Sequence, residues 1–316
     1  MISFRLNSWL ERYKVRSLRD SECFITPSLV YDSLLCSMKC FHPIFMSVDL
    51  SSIALIAGNG IYPETFVTAA RKAGVRRLVA AAFQNETKPE LAGQVDDIEW
   101  FRVGQLGKMI AFLKGQNICQ AVMVGQIAPK NLFDLRPDFR TLLMLARLKK
   151  RNAETLFGGI ADEMAKDGIT LLPATTFLEH LMPVAGHVAG PPIKRRRWED
   201  AQYGFSIAKE CSRLDIGQTV VVKNGTVLAV EAFEGTNEAV KRGGSLGRGG
   251  ATMVKVAKPN QDMRFDVPVI GPDTIRNASA AGVDVIAVEA GMTLLLGFDE
   301  LQKECKTLKI SVVALI

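Results

Sequence analysis

Three short apolar runs, Ile53–Ala57, Leu78–Phe83 and Ala121–Val124, are each followed by a polar or glycine-bearing loop and then, in turn, by segments of helical spacing. Pro63 suits the first turn of one helix and Gly74 ends it after Phe66, Val67, Ala69 and Ala70. Further helical patterns cover Gln105–Gln116, Arg140–Lys149 and Ala153–Lys166. Runs of four to six apolar residues without alternation are buried on both faces, and the intervening helices cover those faces. The spacing therefore predicts an α/β protein that opens with a Rossmann-like parallel sheet over residues 51–182.

Residues 183–197 are rich in glycine and proline and end in Lys194-Arg-Arg-Arg197, which reads as a linker. A distinct C-terminal α/β domain is expected over 198–316, opening with a helix from Trp198 to Ser212. Two β-rich runs, Thr219–Lys223 and Thr226–Ala232, flank Asn224-Gly225, the strongest short hairpin signal. Gly271-Pro272 begins a helix ending near Gly282, and Val283–Val288 is another buried strand. The first fifty residues carry scattered charges without a signal-peptide plan. They are expected to be an extension outside the folded domains, poorly ordered or not native, with Met46 a plausible start.

The chain has 316 residues, enough for two cores, and its net charge of +6 favours phosphorylated ligands or an anionic membrane surface. It lacks the long Lys/Arg tracts of many nucleic-acid binders, so no nucleic-acid partner is expected. Six cysteines without a Cys-x-x-Cys pair read as reduced cytosolic thiols and speak against a zinc site. No apolar run reaches the length of a spanning helix. Neither a Gly-x-Ser-x-Gly elbow nor His-Glu-x-x-His is present, which removes serine-hydrolase and zincin chemistry.

Two regions carry candidate chemistry. In the first domain, Gly58, Asn59 and Gly60 follow a strand and precede a helix, as in loops that bring amides to a phosphate. Pro63 replaces the third glycine of the dinucleotide fingerprint, and Gln84-Asn85 offers no ribose-binding acid, so a nicotinamide oxidoreductase is poorly supported. Another nucleotide could use these residues with Gly104–Lys108, Gly125 and Gln126; tight turns alone explain them equally well. In the second domain, Lys258 to Gly271 places Asp262, Arg264 and Asp266 at spacing two. An extended strand would set both carboxylates and the guanidinium on one face, suited to a divalent cation and a phosphate. The bland reading is a half-exposed strand with a surface ion pair. Asp215, Gln218, Glu231, Glu234, Lys258, Gln261, Asp273 and Thr274 lie at expected element ends nearby. The run Lys194–Arg197 with Trp198 could touch anionic headgroups or be a solvated linker.

Several linked segments are recognisable together: Asp-Ile-Gly-Gln at 215–218, Val-Leu-Ala-Val-Glu-Ala at 227–232, Glu-Gly-Thr at 234–236, Lys-Pro-x-Gln-x-x-Arg-x-Asp-x-Pro at 258–268, Ile-Gly at 270–271 and Val-Glu-Ala-Gly at 288–291. With the opening Ile-Ala-Gly-Asn-Gly, they resemble the LpxI family from about Ile53 to Ile316. That resemblance implies a UDP-2,3-diacylglucosamine pyrophosphatase of lipid A biosynthesis, giving UMP and 2,3-diacylglucosamine 1-phosphate with Mg²⁺. It further implies a homodimer, a lipid chamber between two domains, and a cytoplasmic protein peripherally associated with the inner membrane.

The critical acid of the family's Arg-x-Asp-x-Pro motif maps onto Asp266. On this reading Asp266, Lys258 and Arg264 are catalytic, and Asp266, Glu231 and Glu234 bind metal. Gly58, Asn59, Gly60, Gly125, Gln126, Gln218, Gln261 and Thr274 bind substrate. Asn237 departs from the family pattern, which tends to place an aspartate there. The alternative is a non-catalytic nucleotide- or lipid-binding protein that keeps the fold.

Overall fold

The computed structural model describes residues 48–127, 137–148, 153–259 and 261–316. Residues 1–47, most of the expected extension, lie outside the described residues. Strand β1 is Ser52–Ala57, and its side chains from Ile53 to Ala57 are all buried. Helix α1 follows at Tyr62–Lys72 with Pro63 in its first turn, and the chain leaves it through Gly74 at φ +93°. Then come β2 (Arg77–Phe83), β3 (Asp97–Phe101), α2 (Leu106–Gly115) and β4 (Gln120–Val124). Helices α3 (Phe139–Arg147) and α4 (Ala153–Lys166) lead to the short β5 (Thr170–Leu171). All five strands run parallel in the order β3-β2-β1-β4-β5.

Strand β3 has no signature in the apolar runs, because Asp97-Ile-Glu-Trp-Phe alternates polar and apolar residues as an edge strand does. One apolar cluster packs α1 with Leu91, Leu172 and Leu178 on one face of the sheet. A second packs α2 and α4 on the other, so both faces are covered as the unbroken apolar runs require.

The second sheet is mixed and six-stranded, in the order β6-β13-β11-β9-β7-β8. Its strands are β6 (Gly186–Ala189), β7 (Thr219–Lys223), β8 (Thr226–Val230), β9 (Ala251–Lys255), β11 (Val283–Glu289) and β13 (Ser311–Leu315). Asn224 and Gly225 both have positive φ, 53° and 72°, as a primed two-residue hairpin turn demands. Helix α5 (Arg195–Arg213) covers one face; α6 (Thr236–Gly247), α7 (Pro272–Ala280) and α8 (Phe298–Leu308) cover the other.

The expected linker contributes more than a connection. Gly186–Ala189 pairs antiparallel with β13 inside the second sheet, and α5 begins at Arg195 rather than Trp198. The basic run belongs to that helix start. Arg197 reaches Asp200 (3.4 Å) and Asp284 (3.2 Å), while Trp198 packs against the core beneath α5. Lys194, Arg195 and Arg196 remain exposed.

Residues 48–316 form one compact unit. A small parallel pair, β10 (Val269–Ile270) with β12 (Leu294–Leu295), joins the two sheets' domains. Leu294 and Leu296 are buried in the same cluster as Phe66 and Leu55 of the first domain. Among the described residues no helix is long and apolar enough to cross a membrane.

Candidate active site

The polar cluster sits on the edge of the second sheet where β8, β9 and β11 end. Strand β7 runs the other way and begins there, with Thr219 opposite Lys255 of β9. Glu231, just past β8, donates its amide to the Thr219 carbonyl (2.8 Å). Glu231, Thr219 and Lys255 therefore follow one another across three adjacent strands at the carboxyl edge, the usual place for a site in such sheets. Glu289, at the end of β11, accepts from Lys209 (2.9 Å) and from the Ala257 amide (2.8 Å), which pins the chain as it leaves β9.

Lys255 was absent from the sequence candidates. The segment Ala-Thr-Met-Val-Lys-Val-Ala carries the signal, since a lysine inside a short apolar run flanked by glycine and Lys258-Pro259 is out of place in a core strand. Burial lowers the Lys255 pKa, and the charges of Glu231 and Asp266 oppose that fall. The lysine thus stands within the field of both carboxylates.

Glu231 is 8% exposed. Its Oε1 accepts from the Thr236 hydroxyl (2.8 Å) and its Oε2 from the Gln218 amide (3.4 Å). A Cβ on Gly217 would lie 2.0 Å from the Glu231 carbonyl oxygen, so the loop before β7 passes where a side chain cannot go. The Gln218 side-chain oxygen is buried without a hydrogen-bond partner among the described residues.

Residues 262–266 form a turn, which corrects the expectation of an extended strand. The amides of Phe265 and Asp266 donate to the Asp262 carbonyl (3.2 and 3.0 Å), and the Asp262 side chain accepts from the Arg264 amide (3.1 Å). An aspartate bonding two residues onward offers the backbone a local alternative to a ladder. Arg264 then closes on Asp262 through Nε (2.9 Å) and Nη2 (2.6 Å), so the guanidinium read as a phosphate ligand has a carboxylate partner already.

The turn rests on the first domain. Ala174 donates its amide to the Met263 carbonyl (2.7 Å), and the Phe265 ring lies 5.5 Å from that of Phe157 on α4. Asp266 is thereby carried to the junction of the two domains. Desolvation pushes its carboxyl pKa up; Lys258, the Gln261 side chain and Lys255 pull it down, and Asp215 adds to the rise. The net direction is up. Lys258 donates to Asp215 Oδ1 (2.6 Å). Burial pulls the Lys258 pKa down, but Asp215 and Asp266 outweigh it and the result is raised. Gln261 Oε1 accepts from the Lys258 amide (2.6 Å) while its side chain faces Asp266. Asp266, Lys258, Gln261, Glu231 and Gln218 thus belong to one neighbourhood, completed by Lys255 and Asp215.

Other expected residues are employed elsewhere. Glu234 pairs with Arg242 and accepts from the Ala232 amide (3.1 Å), and the Arg242 contact holds its carboxyl below the usual range. Among the described residues no three His, Cys, Asp or Glu side chains gather as a metal set. Thr274 accepts from the Gly271 amide (3.2 Å) and closes the start of α7. Asn237 is exposed, and its side-chain oxygen faces Asn277 of α7 at 3.5 Å.

In the first domain, Gly58 and Gly125 lie where the strand order reverses, between β1 and β4. The amides of Gly58, Asn59 and Gly60 are taken by Val124 O (2.8 Å), Gln126 O (2.7 Å) and Asn59 Oδ1 (2.6 Å). Gln126 returns its own amide to Asn59 O (3.2 Å). A Cβ on Gly58 would come within 2.7 Å of Gln126 O, and one on Gly125 within 2.8 Å of Asn59 O. These glycines let two backbones touch, which leaves none of the three amides for a phosphate.

Two family descriptions match this sequence: "LpxI N-terminal domain" over residues 52–181 and "LpxI C-terminal domain" over residues 184–313. The chain belongs to the LpxI family. A relative, the UDP-2,3-diacylglucosamine pyrophosphatase LpxI of Caulobacter vibrioides, is 29% identical over 259 residues, covering 78% of this chain and 91% of its own. Among solved structures, the biotin carboxylase subunit of a pyruvate carboxylase matches at 14% identity and a TM-score of 0.24, over 54% of this chain and 34% of its own. The biotin carboxylase domain of a Hydrogenobacter thermophilus 2-oxoglutarate carboxylase gives 12% and 0.23, over 55% and 35%. Likeness at that level carries no argument here. The two LpxI matches meet at residues 181–184, just before β6 enters the second sheet.

Proposed function

We propose that this LpxI-family chain hydrolyses the pyrophosphate of UDP-2,3-diacylglucosamine to UMP and 2,3-diacylglucosamine 1-phosphate in lipid A biosynthesis. The observation that carries this reading is Asp266, desolvated at the domain junction with Lys255 and Lys258 beside it. A desolvated carboxylate in the field of two lysine side chains at a sheet's carboxyl edge suits a substrate whose reacting part is anionic. The exposed apolar side chains Leu214, Ile216 and Phe233, on loops flanking Asp215 and Glu231, offer acyl chains a place beside that polar centre.

The donor set fits magnesium in its common mode, one or two carboxylates with the remaining positions filled by phosphate oxygens and water. Glu231 and Asp266 would hold the ion, which when bound supplies charge neutralisation on the pyrophosphate oxygens. Glu234, paired with Arg242, leaves that set. Lys258 and Lys255 offset the remaining negative charge on the phosphoryl groups. Asp266, facing the junction, accepts a hydrogen bond from the attacking water and orients it. Water's oxygen bonds to phosphorus, the bridging P–O bond breaks, and its electron pair leaves with the departing phosphate.

We further place the protein in the cytoplasm, as a homodimer that visits the inner membrane, since a diacylated substrate resides there. The deciding experiment is product analysis with the diacylated UDP-sugar and Mg²⁺, beside an Asp266→Ala variant and a magnesium-free control. UMP and the lipid monophosphate from wild type alone support the hydrolase. Tight substrate binding without turnover by the wild type would overturn it and favour the binding protein.

A further inference from the structure

Gly58, Asn59 and Gly60 spend their amides on the loop after β4 and on the Asn59 side chain, so the opening motif of the first domain is a braced loop. The bracing fixes where the next two residues start. Ile61 reaches the second domain: a Cβ on Gly297, at the start of α8, would lie 3.2 Å from its Cδ1, and one on Gly271, at the start of α7, 3.9 Å. Tyr62 is 8% exposed and belongs to the first domain's core. Its hydroxyl donates to the Ala174 carbonyl (2.7 Å), a buried bond between residues 112 apart in the chain.

Ala174 is the informative partner. Leu172 still donates its amide to Ala121 O of β4 (2.8 Å), and Pro173 has no amide to give. The Ala174 amide then goes to Met263 O (2.7 Å), in the turn that carries Asp266. Both backbone polar groups of Ala174 are therefore held, the carbonyl by α1 and the amide by the second domain.

We infer that Tyr62 is a positioning residue for the hydrolysis, its hydroxyl setting, through Ala174 and Met263, where the turn presents Asp266. The inference rests on the pyrophosphatase reading above. Ala174 lies outside the strands and helices, so no ladder fixes the direction of its amide. The bonds around it in that loop are local: Thr176 gives its amide and hydroxyl to Pro173 O (3.0 and 2.6 Å), and Leu178 its amide to Thr175 O (2.7 Å). Tyr62 ties this loop to a helix. On its other side the turn is held by the Phe265 ring against Phe157, a contact with little directional preference beside a hydrogen bond. A displacement of about 1 Å at a reacting group can cost about 100-fold in rate, so a bond this far from the chemistry can be read in kcat.

The test sets Tyr62→Phe, which keeps the ring and removes the hydroxyl, beside Thr141→Val in the full chain. Thr141 donates from a buried hydroxyl to Gly104 O (2.6 Å) in the same domain, and its substitution is a matched loss of one buried bond. Initial rates are measured with the diacylated UDP-sugar and Mg²⁺, and amide exchange is followed by mass spectrometry. In Tyr62→Phe, kcat should fall about tenfold with KM within about twofold of wild type. Exchange of peptides spanning residues 262–266 should quicken about tenfold while β9 and β11 keep their protection. Thr141→Val should melt at a lower temperature yet keep the wild-type kcat and turn exchange. Wild-type kcat in Tyr62→Phe, a rise in KM alone, or equal kcat losses in both variants would overturn the inference. If wild type gives no turnover, the proposed function falls; faster exchange at 262–266 in Tyr62→Phe then still supports the link to the turn, and unchanged exchange overturns it.

Discussion

Lys258 donates to Asp215 Oδ1 across 2.6 Å, joining the loop before β7 to the one that follows β9. The pair is partly exposed, so Asp215→Asn should cost less than about 1 kcal/mol at pH 7 by urea melting. Lys258 is raised in the fold. The stability it contributes is complete below its unfolded pKa of about 10.4 and disappears only as pH climbs through the higher folded value. Asp215 also raises Asp266, so the substitution should move the acid limb of the pH–rate profile downward. An unmoved limb would show that the two carboxyls do not sense one another.

The same profile should respond to Lys255 in the opposite sense. Lys255→Met removes a cation that lowers the Asp266 pKa, and the acid limb should rise. The loss of a charge aimed at the phosphoryl group should reduce kcat/KM about 100-fold. Wild-type kinetics in this variant would remove Lys255 from the site.

Asp266 itself separates function from stability. Its carboxyl is raised by burial, so between the unfolded value of about 3.9 and the folded value the native state holds the extra proton. Stability therefore declines as pH rises through that window. Asp266→Asn should abolish this decline, keep or raise the urea midpoint at pH 7, and lower turnover about 100-fold or more. A midpoint far below wild type would instead make the carboxylate a structural counter-ion for the two lysines.

Phe265 tests how the turn is held. Phe265→Ala removes the ring against Phe157 and should cost about 2 kcal/mol, less than a fully buried ring because Phe265 is only partly covered. If docking positions Asp266, kcat should fall while the C-terminal sheet's hydrogen-exchange protection is retained. Unchanged kcat with that stability loss would separate docking from catalysis.

Gly58→Ala probes the contact between the loops after β1 and β4. The new methyl would come within 2.7 Å of the Gln126 carbonyl, so a loss of about 1–3 kcal/mol is expected in thermal or urea unfolding. A neutral substitution would mean the two loops are free to part, and would restore their amides to ligand binding.

Much of the fold is legible in the chain because local rules agree with the tertiary result. Ile53–Ala57 and Ala121–Val124 are apolar throughout and became central strands; Asn224-Gly225 became the hairpin turn its φ angles require. Where the local signal was mixed, the reading stopped. Asp97–Phe101 alternates like an edge strand, and Ala251–Lys255 carries a lysine inside an apolar run, so both strands passed unseen. With β9 went Lys255.

The two α/β domains, the family and the neighbourhood of Asp266 can be read along the chain, since they rest on apolar periodicity and on contiguous motifs. Which polar groups meet is set by the fold. Asp262 and Arg264 are two residues apart and bind each other, while Lys258 takes Asp215 from 43 residues away and Lys255 lies near Glu231 through strand pairing. Spacing along a chain sets what a strand or helix presents to one side. Which charge stands opposite is settled by register, by the turn that Asp262 makes for itself, and by the burial that makes each charge costly to leave alone.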